Sequence, residues 1–249
     1  MSKKKIKISV ITIVKNGMPY LINNINSFNS QTLKEKEHII VYSPSEDKTK
    51  EFLISQKKKF IVDCKSPNKF GAINLGIKKA KGELIGLLHA DDFYPHSKIL
   101  EQIYDFYKSQ KSDLIYGNVK FCKKNNKKKI VRYWKSEKFN IKKLRFGWMP
   151  PHTSIYVKNE ILKKTRYSIN YPISGDYEFI LRLFSNKVYK INYLDQDLCT
   201  MRTGGDSTKL KKFNQKFKED LQIGKKFFKF YFLIILFKIL RKIQQLFIV

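Results

Sequence analysis

The chain has 249 residues, a length that suits one large α/β domain better than two small ones. Hydrophobic residues at 42%, with 14% aromatics, are ample for a buried core and exclude global disorder. The 51 lysines and arginines against 21 acids leave a charge of +30, which fits nucleic acid, anionic lipid or phosphorylated partners, or merely a solvated lysine-rich surface.

Ile6 to Val14 reads as a strand, alternating at first and then continuously apolar, as buried strands do. Asn16-Gly17-Met18-Pro19 is a turn, after which Leu21, Ile25 and Phe28 recur at helical spacing. Glu37 to Tyr42 is a second strand, and Ser45 then reads as an N-cap, with Glu46 and Asp47 in the first turn of a short helix. Phe60 to Val62 gives a third strand; Ile73, Ile77 and Ala80 share a helical face that Gly82 closes as a C-terminal cap. Leu84 to Leu88 is a fourth buried strand, ending at His89-Ala90-Asp91-Asp92. A helix after Pro95 puts Leu100, Ile103, Tyr104 and Tyr107 on one side, ahead of a strand from Leu114 to Tyr116. This alternation predicts a parallel sheet with helices on both faces. Ligands of such sheets sit beyond the carboxyl ends of the strands, which selects the loops Lys15 to Met18, Ser43 to Asp47, Cys64 to Lys69 and His89 to Tyr94.

Past about residue 118 the rhythm changes: Lys123 to Lys129 reads as a hairpin tip or mobile loop, followed by aromatic strand-like pieces and a helix from about Tyr177 to Phe184. Cys64, Cys122 and Cys199 are far apart with no paired spacing, which argues against zinc and disulfides and suits a reducing compartment. The N-terminus has no signal-peptide core, and the longest fully apolar run, Phe230 to Phe237, is far short of the roughly 20 residues a spanning helix needs. The expected location is therefore cytoplasmic.

Asp91 and Asp92 directly follow a buried strand. They are either helix N-terminal charges with turn chemistry ahead of Pro95, or ligands of a divalent ion that holds a diphosphate. Their context, Gly82-Glu83-Leu84-Ile85-Gly86-Leu87-Leu88-His89-Ala90-Asp91-Asp92-Phe93-Tyr94, resembles the segment of family 2 glycosyltransferases that carries their DXD-type motif. Five further segments resemble the same family in order: Val10 to Asn16, Gly71 to Ile77, Met149-Pro150-Pro151-His152, Ser174 to Arg182, and Arg202 to Ser207. Any one is weak; six in order, spanning about residues 6 to 208, are specific.

The resemblance implies a GT-A fold, a Rossmann-like, nucleotide-sugar-binding mixed sheet with helices on both faces, and an inverting transfer that uses Mn²⁺ or Mg²⁺. Residue by residue it implies donor contacts from Thr12, Val14, Asn16, Tyr42, Asn74 and Asp91, metal ligation by Asp92, and Asp176 as general base. His152, Glu178, Arg182 and Arg202 would line the acceptor side. A carboxylate taking the proton of the acceptor hydroxyl while metal and cations stabilise the leaving diphosphate is sound chemistry for such a transfer. Asp176 also reads as an ordinary N-terminal helix charge, and His152 as a hydrogen-bonded histidine beside a rigid Pro-Pro. The donor side departs from the pattern: Tyr42-Ser43-Pro44 stands where Asp-Gly is usual, Ser66 where the third loop has an acid, Gly71 where a helix opens with Asp, and His89 for Asn. Tyr42 is then expected to stack on a base, with a UDP-sugar as the favoured donor.

The tail, Lys225 to Lys238 and on to Leu246-Phe247-Ile248-Val249, sets aromatics and aliphatics between lysines, as in an amphipathic helix lying in a headgroup layer. The alternatives are a helix packed on the domain or on a homodimer partner. The expected organisation is a catalytic domain over 1–210 and a membrane-interfacial tail over 211–249, peripheral on the inner face of the cytoplasmic membrane, serving a glycan or lipid-linked acceptor. A non-catalytic transferase-like subunit is the nearest rival; nucleic-acid binding is suggested only by charge, with no binding motif beside it.

Overall fold

The computed structural model describes residues 5–204 and 213–245. Its elements run Ile8–Val14 (β1), Leu21–Asn29 (α1), Lys36–Tyr42 (β2), Thr49–Ser55 (α2), Phe60–Val62 (β3), Lys69–Lys79 (α3), Leu84–Leu87 (β4) and Ile99–Gln110 (α4). Leu114–Lys123 (β5), Asn126–Trp134 (β6), Tyr156–Lys158 (β7), Asn159–Lys164 (α5), Gly175–Phe184 (α6), Ile191–Arg202 (β8), Phe213–Phe227 (α7) and Tyr231–Gln244 (α8) follow. The strands form one eight-stranded sheet in the order β3-β2-β1-β4-β7-β5-β6, with β8 also on β5.

The first four strands are parallel, as their apolar runs predict, and the register sets Val14 beside Tyr42 and Ile11 beside Leu87. Their C-terminal loops therefore open on one edge. The sheet turns mixed after β4, because β7 runs antiparallel to both β4 and β5 while β8 runs parallel to β5. The lysine-rich stretch is a hairpin tip, since β5 and β6 pair antiparallel around it.

Both faces are covered. On one, Ile99, Leu100 and Ile103 of α4 are fully buried against Val10, Leu84, Ile115 and Leu198, each contributing about 2 kcal/mol by burial. On the other, Phe70 of α3 and Phe179 and Phe184 of α6 pack with Tyr116 and Trp148. Two local expectations are corrected. Ser45 caps no helix: its hydroxyl accepts from Asn16 N–H at 2.9 Å, and α2 starts later, at Thr49. Gly82 is no C-cap either, because α3 ends at Lys79; a Cβ on Gly82 would lie 2.4 Å from the Ser9 backbone nitrogen, so close packing on β1 demands the glycine.

The tail departs from the expectation of one separate interfacial helix. It forms two helices, α7 and α8, that pack back on the domain. Ile234 and Ile235 are buried, and Arg241 Nε donates to the Phe146 carbonyl at 3.0 Å. Gly147, at φ +68°, comes so close that a Cβ there would lie 2.4 Å from the backbone nitrogen of Lys238. The opposite face of α8 is bare: Phe232, Leu233, Leu236, Ile239 and Leu240 are 45–62% exposed. No helix among the described residues is long and apolar enough to cross a membrane. Leu246 to Val249 lie outside the described residues.

Candidate active site

The loop after β4 is held from two sides. Asn24 Nδ2 of α1 donates to the carbonyls of His89 at 2.7 Å and Asp92 at 3.3 Å, while Phe93 and Thr200 exchange backbone hydrogen bonds of 3.1 and 2.9 Å. This clamps Asp92 beneath the end of β8, only 1% exposed, with neither carboxylate oxygen hydrogen-bonded among the described residues. Burial pushes its pKa well above the usual carboxylate range; the charge of Asp91 adds to this, and Arg202 opposes it. Asp91 itself is half-buried in the same loop.

Asp176 sits in the first turn of α6, accepting from Tyr177 N–H at 2.9 Å, and lines a cavity of about 890 Å³. Trp148 and His152 line the same space, as do Arg202, Lys216 and Lys238. Burial alone would raise the Asp176 pKa; Lys69, His152, Lys216 and Lys238 overcome it and hold the carboxyl at about 2. His152 is itself pushed down to about 3, by burial first and His89 second, so at neutral pH the lysines supply the lasting positive charge. The rings of His89 and His152 lie 5.0 Å apart, so this pair links the Asp91–Asp92 loop to the Asp176 wall. Arg202 is buried over the rings of Tyr20 and Phe93, donates to the Lys124 carbonyl at 2.9 Å, and leaves Nε without a partner among the described residues.

Several expected donor contacts are committed inside the fold. The Thr12 hydroxyl is fully buried, donating to the Leu88 carbonyl at 2.7 Å and lying 2.8 Å from His38 Nε2. Val14 packs with Leu21, Leu53 and Tyr42. The Tyr42 ring, expected to stack on a base, is buried edge-on to Phe60 at 5.5 Å, and its hydroxyl accepts from Ser45 N–H. Asn74 binds the backbone of Tyr167 twice, at 2.8 and 2.9 Å. Asn16 ties the first loop to the second, accepting from Glu46 N–H at 2.9 Å, but remains exposed at the strand end. On the other side, Glu178 and Arg182 pair with each other at 2.9 and 3.0 Å, and neither is among the residues lining the cavity. Of the expected residues, the structure gathers His152, Asp176 and Arg202 around the cavity, with Asp91 and Asp92 joined to it through His89. Gly205, Asp206 and Ser207 of the last motif lie outside the described residues.

Sequence reasoning missed Asp63 and the lysines. The acid of the third loop is Asp63, one residue past β3, rather than the position of Ser66: its carboxylate accepts from the N–H groups of Lys65 and Ser66 at 3.2 and 3.0 Å. The Asp63-Cys64 that follows β3 gave no distinguishing signal, and Lys216 and Lys238 were hidden among 51 cations.

The family described as Glycosyl transferase family 2 matches residues 9–169. An uncharacterised glycosyltransferase of Methanocaldococcus jannaschii is 29% identical over 193 residues, covering 74% of this chain and 66% of that one. One from Haemophilus influenzae is 30% identical, with 83% of each chain covered. Among solved structures, S. aureus TarS 1–349 in complex with UDP-GlcNAc superposes with a TM-score of 0.69 at 18% identity, over 88% of this chain and 66% of that one. A mannosyltransferase of Pyrobaculum calidifontis with GDP-Man and Mn²⁺ gives 0.65 at 14%, over 88% and 63%. The chain thus spans just under two thirds of the archaeal relative and of both solved chains.

Proposed function

Because the chain belongs to glycosyl transferase family 2 and has the GT-A fold, we propose that it moves a sugar from a nucleoside-diphosphate sugar to an acceptor hydroxyl in the cavity beside Asp176. The observation that carries this reading is the placement of an ionised Asp176 on the wall of a large cavity, linked through His152 and His89 to the acidic loop after β4. The acceptor hydroxyl attacks the anomeric carbon and gives its proton to Asp176. The bond to the diphosphate breaks on the opposite side, so configuration inverts. Asp92 fits a divalent cation, since its two buried oxygens make no hydrogen bond among the described residues. Mg²⁺ or Mn²⁺ would complete its shell with phosphate and water oxygens. Such a cation would be held by Asp92 with Asp91 beside it, and would neutralise charge on the leaving diphosphate.

A UDP-sugar is the favoured donor, supported by the UDP-GlcNAc held in the TarS structure. Calorimetry with UDP-, GDP- and dTDP-sugars plus Mn²⁺ tests this: one nucleotide should bind, and the uridine series best. Absence of binding to all three would favour the non-catalytic subunit instead, a reading that the buried Tyr42 keeps in view.

The acceptor we propose is a surface or lipid-linked glycan met at a membrane. The bare face of α8 and the exposed Lys225, Lys226 and Lys229 beside it support docking on anionic lipid, where apolar burial and roughly 1 kcal/mol per lysine add. Replacing Leu233 and Leu236 together by Glu should release the protein from phosphatidylglycerol vesicles in a flotation assay, whereas salt alone should release only part. Unchanged flotation, or a dimer that the two changes dissociate, would overturn the membrane reading.

A further inference from the structure

The cavity carries more positive charge than one ionised base requires. Six cationic side chains line it, Arg132, Lys135, Arg202, Lys216, Lys238 and Arg241, against the carboxylates of Glu137 and Asp176. Arg202 belongs to the acidic loop, since it is the one cation that acts on Asp92. The wall made by β6, α7 and α8 is a different place.

On that wall Arg132 is half-buried, its guanidinium 4.4 Å from the Phe121 ring centre and 5.2 Å from that of Trp134. It donates through Nε and one terminal nitrogen to the neutral Oε1 of Gln245, and no carboxylate pairs with it among the described residues. A guanidinium has five N–H groups, so about three remain for a ligand. Lining the same cavity, Lys216 and Lys238 both bond to one oxygen of Asp220 at 3.0 Å, so two ammonium groups share that carboxylate oxygen. Lys238 also lies 3.4 Å from the centre of the Tyr177 ring. Burial draws its pKa down to about 8, with Lys216 adding to the shift and Asp220 and Asp176 opposing it. Arg132 and the lysine pair carry three positive charges against two carboxylates, Asp220 and Asp176, so an excess of one remains, and a phosphate monoester carries about −1.5 to −2 at neutral pH.

We propose that Arg132, Lys216 and Lys238 form an anion subsite that takes a phosphate ester carried by the acceptor. The proposal rests on the transfer reading above, for it makes the acceptor an anionic one. The ester belongs either to a soluble polyol phosphate or to a lipid phosphate, which would arrive along the apolar face of α8. Its placement also serves the chemistry. The lysines that hold Asp176 near the bottom of the carboxylate range would be screened by the bound phosphate, so the base strengthens when the acceptor is present.

The test uses the full chain with saturating UDP-GlcNAc. One arm titrates glycerol 1-phosphate against glycerol by calorimetry; the other measures binding to phosphatidylcholine vesicles with and without dodecyl phosphate. Glycerol phosphate, or the dodecyl phosphate vesicles, should bind where the uncharged control does not, and the positive arm identifies the source. Arg132→Gln and Lys216→Gln should each weaken that binding about tenfold, the usual worth of one charge-assisted contact. UDP-GlcNAc affinity, followed in the same variants, reports separately on the donor reading. The proposal is overturned if both arms fail with folded protein, if neither variant changes the affinity, or if UDP competes with glycerol phosphate for one site.

Discussion

Asp176→Asn should lower turnover by roughly 10²- to 10⁴-fold, the usual worth of a general base, while nucleotide-sugar affinity stays unchanged. The substitution is nearly isosteric, and the amide oxygen can still accept from the Tyr177 N–H that holds the carboxylate. What it removes is the group that takes the acceptor proton. Because Lys69 and the other cations hold the folded-state pKa at about 2, below the unfolded value, ionised Asp176 contributes stability that is present at neutral pH and lost as pH falls towards 2. The Asn variant should therefore be slightly less stable at pH 7, by about 1–2 kcal/mol, and turnover must be compared well below its melting temperature. The same low pKa means that protonation of Asp176 creates no acid limb in the rate profile above about pH 4. Near-normal turnover in a folded Asp176→Asn protein would remove this residue from the mechanism.

The order of strands and helices over the first half was legible, because buried parallel strands write themselves as apolar runs and the loops after them follow from topology. That put Asp92 at a strand end without any coordinates, and the family resemblance singled out Asp176 as a candidate base, while its place on a cavity wall came only from the structure. Side-chain direction was not legible. Thr12 lies within the right strand, yet its hydroxyl is spent on Leu88, a partner 76 positions away that only the register supplies. Asn74 meets Tyr167 across 93 positions for the same reason. The tail was ambiguous at a deeper level: α8 is apolar on both faces, so periodicity cannot say whether Ile234 and Ile235 or Leu233 and Leu236 turn inward. The close approach at Gly147 settles it, and nothing local to the tail encodes that contact. Lys216 and Lys238 carried no signal because a cation among 51 is distinguished only by what it faces.

Asp92→Asn should abolish metal-dependent donor binding and leave the fold intact. A fully buried carboxylate with two unpartnered oxygens is costly, and the neighbouring Asp91 makes it more so. An amide there removes the buried charge, so the variant without metal should melt at or above the wild-type temperature. That direction is opposite to the one expected of a merely structural carboxylate, whose loss would orphan several hydrogen-bond donors; among the described residues only the Arg202 backbone N–H faces Asp92. With Mn²⁺ and the bound nucleotide sugar the order should reverse. Wild type gains stability by mass action, about 2.7 kcal/mol at a hundredfold excess over the dissociation constant, and the variant gains none. EDTA should cancel the wild-type gain and do nothing to the variant. Thermal melts in the four combinations of protein and chelator read this out without any assay of turnover. Equal stabilisation of both proteins, or wild-type donor affinity that survives EDTA, would sink the assignment of Asp92 as a metal ligand. The clamp formed by Asn24 and Thr200 would then hold a carboxylate whose burial some other ligand must compensate.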